Sequence, residues 1–398
     1  MENGKTAPQC RCFKQCGGCQ LQEPYAAQLQ RKQQKAERML SGFAPVNPII
    51  GMREPYYYRN KIQNVYGFDR RHRIISGVYQ ASSRSMTAAD TCLLEDRRAA
   101  PIVQTLKKLM HDLRIAPYDL RSGTGLLRHT MIRTSRSTGE IMLVLVTAAP
   151  MLPAKKNLVR ALLTVHPEIT TIVQNICPDG LPLTLGPRSI PLFGNGRIED
   201  ILCGCRFRIS PASFYQVNPV QTKVLYETAI RAAGIRDGIT AVDAYCGTGT
   251  IGMIAAKHGA AVIGVEQNHA AVRDAVDNAK RNQLRSIRFA EEDAGAFLQQ
   301  AAAAHQTCDV LFMDPPRAGA SQAFLRSLGK LAVRRVVYIS CKIETLARDL
   351  QTLQREGYRA VMIQPVDMFP HTTGIEHVCL LACCRERADG KRYSCSSR

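Results

Sequence analysis

The stretch ITAVDAYCGTGTIGMIAAKHGAAVIGVE, residues 239–266, decides the fold of this chain. Residues 239–245 have the apolar pattern of a buried strand, and the glycine turn after them leads into a helix near Gly252. A second apolar strand ends at Glu266. Because parallel neighbours need a crossover helix, this order of elements predicts a doubly wound, mostly parallel α/β sheet.

The glycine turn is a candidate nucleoside-binding site. Gly247 and Gly249 permit a tight turn and a close approach of the backbone to a ligand. Glu266 can accept hydrogen bonds from both ribose hydroxyls, and Asp293, after the next strand, is expected beside an adenine ring. Together with the motif described next, the pattern favours S-adenosylmethionine over NAD. The alternative is a structural glycine turn in another kind of α/β protein.

A second motif, Asp-Pro-Pro-Arg at 314–317, directly follows the apolar strand DVLFM. Ligands of open α/β sheets bind outside the carboxyl ends of the strands, and the two prolines stiffen the turn. We therefore expect Asp314 to lie at the mouth of the site, where its carboxylate can accept a hydrogen bond from a base N–H. Arg317 is a candidate phosphate contact.

A cysteine and a glutamate complete the candidate site. Cys341 ends the strand RVVYIS (335–340), and Glu376 follows the turn MFPHTTG (368–374). The alternative for Cys341 is a small buried core residue. A thiolate and a carboxylate beside a methyl donor suit methylation of uracil C5, a poor nucleophile. The thiolate would add to C6 and activate C5, and the carboxylate would then remove the C5 proton.

Charge and length limit the classes of protein. The chain has 398 residues and 53 Lys and Arg against 33 Asp and Glu, a formal net charge of +20. This excess favours a nucleic-acid partner over a merely soluble basic protein, and the length predicts two or three domains. Apolar residues make up 45%, which argues against wholesale disorder. No apolar run has membrane-span length and no signal peptide is evident, so we expect a cytoplasmic protein.

The chain divides by its patterns into three parts. A polar, cysteine-rich start and a helix over 26–40 precede strands and turns from about 50 to 210, which read as an antiparallel sheet with a few helices. We predict three domains. Residues 1–95 hold the cysteine-rich segment and the start of the central domain, residues 96–210 form a central β-rich RNA-binding domain, and residues 211–398 form the α/β unit. Basic residues early in the middle part are candidate RNA contacts, unless they form an ordinary solvated strand face: Arg59, Lys61, Arg70, Arg71 and Arg73.

Cysteines cluster near the start of the chain. Cys10, Cys16 and Cys19 have spacing typical of a metal or iron–sulfur site. Zinc would need a fourth ligand, commonly from a second C-x2-C pair, which the sequence lacks. The spacing alone leaves both kinds of site open.

Five motifs resemble, in order, those of the RNA uracil-C5 methyltransferase family, which contains the tRNA and 23S rRNA 5-methyluridine enzymes: SFYQVNP (213–219), DAYCGTGTIG (243–252), DPPRAG (314–319), YISC (338–341) and MFPHTTGIE (368–376). The resemblance implies a Rossmann-like methyltransferase domain with Cys341 as nucleophile and Glu376 as base. It implies contacts to S-adenosylmethionine or the uracil from Gln216, Tyr245, Glu266 and Asp314. Phe214 is expected to stack near the site, with core packing as the alternative.

The resemblance also implies a 4Fe-4S cluster. Many rRNA members carry C-x5-C-G-G-C-Q and a distant cysteine, here Cys10, Cys16, Cys19 and Cys92, in a mixed α+β domain. This signature favours 23S rRNA, with uridine 54 of tRNA as the alternative substrate, and a monomer is expected. Lys342-Ile343 replaces the common Asn-Pro after the cysteine, and Gly374-Ile375 replaces His and an aliphatic residue before the glutamate. Methylation of an RNA nitrogen or a small molecule, and a non-catalytic RNA-binding protein, are the competing functions.

Overall fold

The computed structural model describes residues 10–80, 85–178, 184–331 and 333–384. The N-terminal segment contains the helices α1 (Phe13–Cys16) and α2 (Tyr25–Leu40), so the helix predicted over 26–40 is confirmed. Among the described residues, no helix has both the length and the apolar character that a membrane span requires.

The middle of the chain forms a seven-stranded sheet in the order β3-β2-β1-β4-β5-β6-β7. Its neighbours pair antiparallel, as the sequence predicts, except that β5 and β6 are parallel. Strands on both sides of residue 95 belong to this one sheet, because β1 pairs with β4. The elements are β1 (Lys61–Phe68), β2 (Ile74–Tyr79), β3 (Met86–Ala88), α3 (Ala99–Asp112), β4 (Leu127–Thr134), β5 (Ile141–Thr147), α4 (Lys155–Val165), β6 (Ile169–Ile176) and β7 (Arg188–Phe193).

A short antiparallel hairpin, β8 (Ile198–Leu202) and β9 (Cys205–Ile209), joins the two large sheets. Its backbone is bound to the C-terminal domain. The amide of Arg206 donates to Asn282 Oδ1 at 2.7 Å, and the amide of Arg208 donates to Asn278 Oδ1 at 2.8 Å. These bonds fix the segment that leads directly into the first motif at 213–219.

The C-terminal sheet has the order β12-β11-β10-β13-β14-β16-β15, with helices between its strands. The first five strands in this order are parallel, which confirms the predicted α/β class. The elements are α5 (Pro219–Ala233), β10 (Thr240–Ala244), α6 (Thr250–Lys257), β11 (Ala261–Glu266), α7 (His269–Arg281), β12 (Ile287–Glu291), α8 (Ala294–Ala303), β13 (Val310–Met313), α9 (Gln322–Leu331), β14 (Arg335–Ser340), α10 (Ile343–Arg355), β15 (Tyr358–Val366) and β16 (Glu376–Cys383).

One strand of this sheet runs against the others. β16 is antiparallel to both β14 and β15, a feature the sequence patterns did not predict. Its first residue, Glu376, therefore lies at the edge where β14 ends, and Ser340 of β14 pairs with His377. This reversal brings the end of one motif beside the end of another.

Helix α2 packs on the C-terminal domain although it lies near the start of the chain. Ala36 and Leu40 are fully buried in the same apolar cluster as Phe324 and Tyr338. The same helix also buries polar side chains, because Gln28 is fully buried and Lys32 is 2% exposed. The N-terminal segment is thus an integral part of the domain that carries the candidate site.

Candidate active site

A cavity of about 780 Å³ lies at the carboxyl edge of the C-terminal sheet. Ligands of doubly wound sheets bind at this edge, because the loops after parallel strands meet there. The structure brings together all six residues predicted to be catalytic or to bind the cofactor. They line this single cavity: Gln216, Tyr245, Glu266, Asp314, Cys341 and Glu376.

The glycine turn after β10 shapes one side of the cavity. Gly247 donates its amide to Glu266 Oε2 at 3.0 Å, and Asn268 donates its amide to Glu266 Oε1 at 2.8 Å. Gly249 has a φ of +78°, and a Cβ added there would lie 2.8 Å from the Phe289 ring. The turn therefore needs glycine for both conformation and space, and it fixes the Glu266 carboxylate at the cavity wall.

Tyr245, which begins this turn, has a φ of +64°, in the left-handed region that non-glycine residues rarely adopt. Its ring packs on Phe324 with the centroids 5.2 Å apart. Backbone strain of this kind is found where surrounding contacts hold a functional residue in place. The cavity side of the sheet therefore presents a fixed tyrosine beside the glycine turn.

Three of the carboxyl groups that line the cavity have a raised pKa: Asp243, Asp314 and Glu376. Burial raises the pKa of Asp243 and of Asp314 to about 7. Burial, with the nearby Asp314 carboxylate, raises the pKa of Glu376 well above its usual value. Asp243 Oδ2 accepts the Gly252 amide at 2.7 Å, whereas its buried Oδ1 has no hydrogen-bond partner among the described residues. The cavity thus combines unused acceptors with carboxylates of raised basicity, and it suits a cationic ligand.

Cys341 lies on the rim directly after β14, with its thiol partly exposed. Burial raises the pKa of this thiol, and the carboxylates of Glu376 and Asp314 raise it further. Arg317 opposes this shift, because the positive charge of its nearby guanidinium lowers the pKa of the thiol. The arginine predicted as a phosphate contact therefore lies beside the candidate nucleophile.

Three titratable groups lie within the last motif or directly after it, and the fold puts them in different places. Glu376 lines the reaction cavity together with Cys341. His377 is fully buried beneath the edge, 3.3 Å from the Ser340 carbonyl oxygen, and burial lowers its pKa to about 4. His371 lines a separate cavity near the N-terminal cysteines. Of the three, Glu376 has the position that a base beside Cys341 requires.

Tyr226 is a cavity residue that the sequence patterns missed. It lies in the middle of α5, is 4% exposed and lines the cavity together with Gln216. Burial raises the pKa of its hydroxyl well above the usual value, and the nearby Asp314 carboxylate adds to the shift. The sequence signal that could have pointed to Tyr226 is its position in a helix that begins at Pro219, close behind Gln216.

Phe214 is the most exposed aromatic residue of the cavity wall, with 71% of its surface open to solvent. Its two neighbours are buried and fixed. Ser213 donates to Asp274 at 2.8 Å, and its carbonyl oxygen accepts from the buried Arg133 at 2.5 Å. Tyr215 donates to Asp200 at 3.2 Å. The exposure of Phe214 excludes core packing, and its two fixed neighbours hold the ring at the mouth of the cavity.

The predicted cluster ligands Cys10, Cys16, Cys19 and Cys92 line a second cavity of about 530 Å³. Burial raises the pKa of Cys19 to about 11, and the nearby thiols of Cys16 and Cys10 add to this shift. Cys92, from the loop before α3, is close enough to Cys19 for the two thiolates to repel each other. The structure therefore gathers the four cysteines around one space.

Their arrangement is nevertheless not that of a metal centre. In the ranges that the structure describes, no group of three or more His, Cys, Asp or Glu side chains is placed to hold a metal ion. The sequence-based expectation of a 4Fe-4S cluster in the N-terminal part is not supported by this geometry, and it stays a prediction. The sequence spacing of the cysteines indicates which residues can come together, but it does not determine where their sulfur atoms lie.

The basic residues predicted as RNA contacts are divided by the fold. Arg59 lines the cysteine cavity, so it is not part of an open strand face. Lys61 is partly buried next to Arg133, and burial lowers its pKa. Arg73 pairs with Asp69 at 2.8 Å in the exposed turn between β1 and β2. Exposed positive charge from this set is therefore concentrated at that turn.

Comparisons with known proteins agree with this geometry. The family model described as tRNA (uracil-5-)-methyltransferase matches residues 204–383. An uncharacterized RNA methyltransferase of Halalkalibacterium halodurans is 40% identical over 378 residues, covering 94% of this chain and 82% of the relative. One of Listeria monocytogenes is 39% identical over 392 residues, with coverages of 96% and 86%.

A solved structure gives the same result. Pyrococcus abyssi tRNA (uracil-54, C5)-methyltransferase, in complex with S-adenosyl-L-homocysteine, superposes with a TM-score of 0.75 and 25% identity over 90% of this chain and 84% of that one. The fold and cavity are those of an α/β methyltransferase. The chain belongs to the RNA uracil-C5 methyltransferase family, so the resemblance seen in its motifs is confirmed.

Proposed function

We propose that this protein transfers the methyl group of S-adenosylmethionine to C5 of a uridine in 23S rRNA, with Cys341 as nucleophile and Glu376 as base. One observation carries the proposal. The thiol and the carboxyl group line the same cavity as the glycine turn, and the Glu376 carboxylate is close enough to raise the pKa of the Cys341 thiol. Nitrogen methylation needs no thiol, and a non-catalytic RNA-binding protein needs neither group.

The cavity residues fit S-adenosylmethionine. Each Glu266 oxygen accepts one backbone amide and keeps a free lone pair for a ribose hydroxyl. The unpartnered Asp243 Oδ1 is an acceptor for another donor of the ligand, and the Tyr245 ring offers an apolar face. When bound, the cofactor supplies an electrophilic methyl group on a sulfonium, and the carboxyl groups of the cavity favour that positive charge.

The proposed reaction starts with Cys341. Its thiolate adds to C6 of the uracil, and the electrons of the C5–C6 double bond move to C5 as an enolate. C5 takes the methyl group, leaving S-adenosylhomocysteine. Glu376 then accepts the C5 proton, and the electrons of that C–H bond reform the double bond and expel the thiolate. The raised pKa of Glu376 makes its carboxylate a stronger base than an exposed one.

Arg317 and Asp314 have supporting roles in this proposal. Arg317 favours the thiolate form of Cys341, because the nearby positive charge of its guanidinium stabilises the anion. Asp314 lies deep in the protein with part of its side chain open to the cavity, and a carboxyl group there can pair with the N3–H of uracil. Tyr226 and Gln216 line the same wall of the cavity.

The proposal of 23S rRNA rests on the cysteine motif. We also propose that Cys10, Cys16, Cys19 and Cys92 hold a 4Fe-4S cluster with a structural role, as the family resemblance implies. The resemblance alone carries this proposal: the shared cavity brings the four cysteines around one space, but their thiols are not placed as a set of metal ligands. A cluster there would tie the first residues of the chain to the loop before α3.

Uridine 54 of tRNA is the second candidate, because the superposed Pyrococcus abyssi enzyme carries that specificity in its name. The purified protein should be incubated with labelled S-adenosylmethionine and each RNA separately. Methylation of a 23S rRNA fragment and not of unmodified tRNA is the expected result. Transfer to tRNA alone would refute the rRNA assignment and leave the chemistry unchanged.

The chemistry itself is tested by covalent trapping. RNA with 5-fluorouridine has no C5 proton to lose, so the enzyme should remain attached to the methylated base. We expect an adduct that survives denaturing gels and needs both S-adenosylmethionine and Cys341. Cys341→Ala should abolish it, and the matched control Cys384→Ala, at an exposed thiol outside the cavity, should keep it. An adduct that persists in Cys341→Ala would remove the nucleophile assignment.

A further inference from the structure

The nine residues between β15 and β16, 367–375, form what we call the base loop, because Glu376 follows it directly. One residue of the base loop, Phe369, lines the reaction cavity together with Glu376. The position of the loop therefore determines where the carboxylate stands relative to a bound uracil.

Helix α2 binds the start of the base loop through a buried ion pair. Lys32 Nζ lies 2.6 Å from Asp367 Oδ1, with side chains 2% and 0% exposed. The same ammonium donates to the Phe369 carbonyl oxygen at 3.1 Å. Tyr25 donates its hydroxyl to Asp367 Oδ2 at 2.8 Å and accepts the Met52 amide at 2.8 Å. Both oxygens of the buried carboxylate are thus held from the helix side.

A second set of bonds holds His371 in the middle of the loop. The fully buried Gln28 accepts the His371 amide on Oε1 at 2.9 Å, and its Nε2 lies 3.1 Å from His371 Nδ1. The amides of Gln20 and Leu21 donate to the His371 carbonyl oxygen at 3.0 and 3.1 Å. His371 has a φ of +66°, a conformation that persists only where its surroundings hold it.

These contacts are more specific than docking of the helix requires. Tyr25, Gln28 and Lys32 follow one another at spacings of three and four, so they share one face of α2. Apolar side chains on that face would attach the helix as well or better, because burying an ion pair costs desolvation of both charges. What polar contacts add is a defined position for the atoms that they bind.

We infer that Gln28 and Lys32 are positioning residues for the base, which set the base loop so that the Glu376 carboxylate reaches the C5 proton. This inference rests on the proposed function and extends it to residues of the N-terminal helix. It predicts a defect limited to the last chemical step, since neither side chain lines the cavity that holds Cys341.

The test compares two rates in the full-length protein. Gln28→Leu keeps the volume of the side chain and removes both bonds to His371. Turnover on ordinary RNA should fall by up to about 100-fold, the effect expected of a catalytic group displaced by about 1 Å. Adduct formation with 5-fluorouridine RNA should keep its wild-type rate, because it needs attack and methyl transfer but no base. KM values for RNA and S-adenosylmethionine should not change.

An isotope effect gives a second readout that a merely structural role would not alter. With uridine deuterated at C5, turnover by Gln28→Leu should show a larger deuterium effect than turnover by the wild type, because proton removal becomes rate-limiting. Gln34→Ala, on the exposed face of the same helix, is the matched control and should behave as wild type. Lys32→Met leaves Asp367 buried without a cation, so the second test is the double variant Lys32→Met/Asp367→Asn. It should likewise lose turnover on ordinary RNA and keep the rate of adduct formation with 5-fluorouridine RNA.

Two results would overturn the inference. Equal losses of adduct formation and turnover would make α2 a structural support only, and wild-type turnover by both Gln28→Leu and the double variant would remove any role in positioning. An absent adduct in the unsubstituted protein would instead refute the proposed chemistry, and the inference with it. The two failures are therefore distinguishable, because one is visible only in the variants.

Discussion

Phe214 offers a direct test of how the cavity recognises RNA. Its ring is 71% exposed, while Ser213 and Tyr215 on either side are buried and hydrogen-bonded, so the backbone presents the ring in one place. Replacing an exposed side chain typically changes the free energy of unfolding by less than about 0.5 kcal/mol. Phe214→Ala should therefore fold as the wild type, and any loss must come from lost contacts to RNA.

The expected magnitude follows from base stacking. A base stacked on an aromatic side chain contributes about 1–3 kcal/mol, which corresponds to a loss of affinity of about 5-fold to about 150-fold when the ring is removed. Phe214→Tyr should retain most of the affinity because it keeps the aromatic face. Phe214→Leu should not, although it keeps much of the apolar area.

The assay is fluorescence anisotropy of a labelled RNA substrate, with thermal unfolding measured in parallel. Phe193→Ala is the matched control, because that ring is also 40% exposed but lies at the end of β7 in the middle sheet. Unchanged RNA affinity in Phe214→Ala, or full affinity in Phe214→Leu, would refute stacking. A large drop in thermal stability would show that the ring supports the fold instead.

Three further predictions concern ionisation and the cysteines. Arg317→Met should move the alkaline rise of kcat/KM to higher pH, because the arginine lowers the pKa of Cys341, and a pH profile identical to wild type would contradict this. Asp314, with a pKa of about 7, becomes charged between pH 6 and pH 8. The affinity for S-adenosylmethionine relative to S-adenosylhomocysteine, measured by calorimetry, should therefore increase over this range. Asp314→Asn should reduce this pH dependence. Anaerobically purified protein should be brown with about four irons per chain. It should lose them in Cys16→Ser. It should keep them in Cys12→Ser, because Cys12 is outside the predicted ligand set and its thiol donates to the Ala88 carbonyl oxygen at 3.5 Å. A colourless wild type would argue against the cluster.

The residues at the ends of strands could be predicted from sequence because parallel strands share an edge. Glu266, Asp314 and Cys341 each come at or directly after the last residue of an apolar strand, so their meeting in one cavity follows from the strand order alone. Gly247 and Gly249 mark the turn for the same reason. Local pattern and global topology therefore agree at these positions.

The polar contacts of α2 could not be predicted in this way. The sequence AAQLQRKQQKAERML reads as a solvated helix, yet Gln28 and Lys32 are buried against a loop more than 300 residues away. A long-range ion pair leaves no periodic signal, because each partner looks like an ordinary surface residue. Tyr226 could not be predicted for a similar reason, because a single tyrosine in a helical sequence gives no sign that it lies near the Asp314 carboxylate.

The antiparallel strand explains why the base needs support from outside the sheet. Cys341 follows β14 directly, so the hydrogen bonds of that central strand fix its place. Glu376 begins β16, and the pairing of Ser340 with His377 brings it to the same edge, but the nine residues before it have left the sheet. Nothing in the sheet sets the path of that loop between Val366 and Glu376. The nucleophile is thus positioned by backbone pairing, whereas the base depends on contacts from outside the sheet. Asn218, Gln221 and Tyr58 bind backbone carbonyls of the base loop. The side chains of α2 bind Asp367 and His371, and this is where substitutions should separate proton removal from the earlier steps.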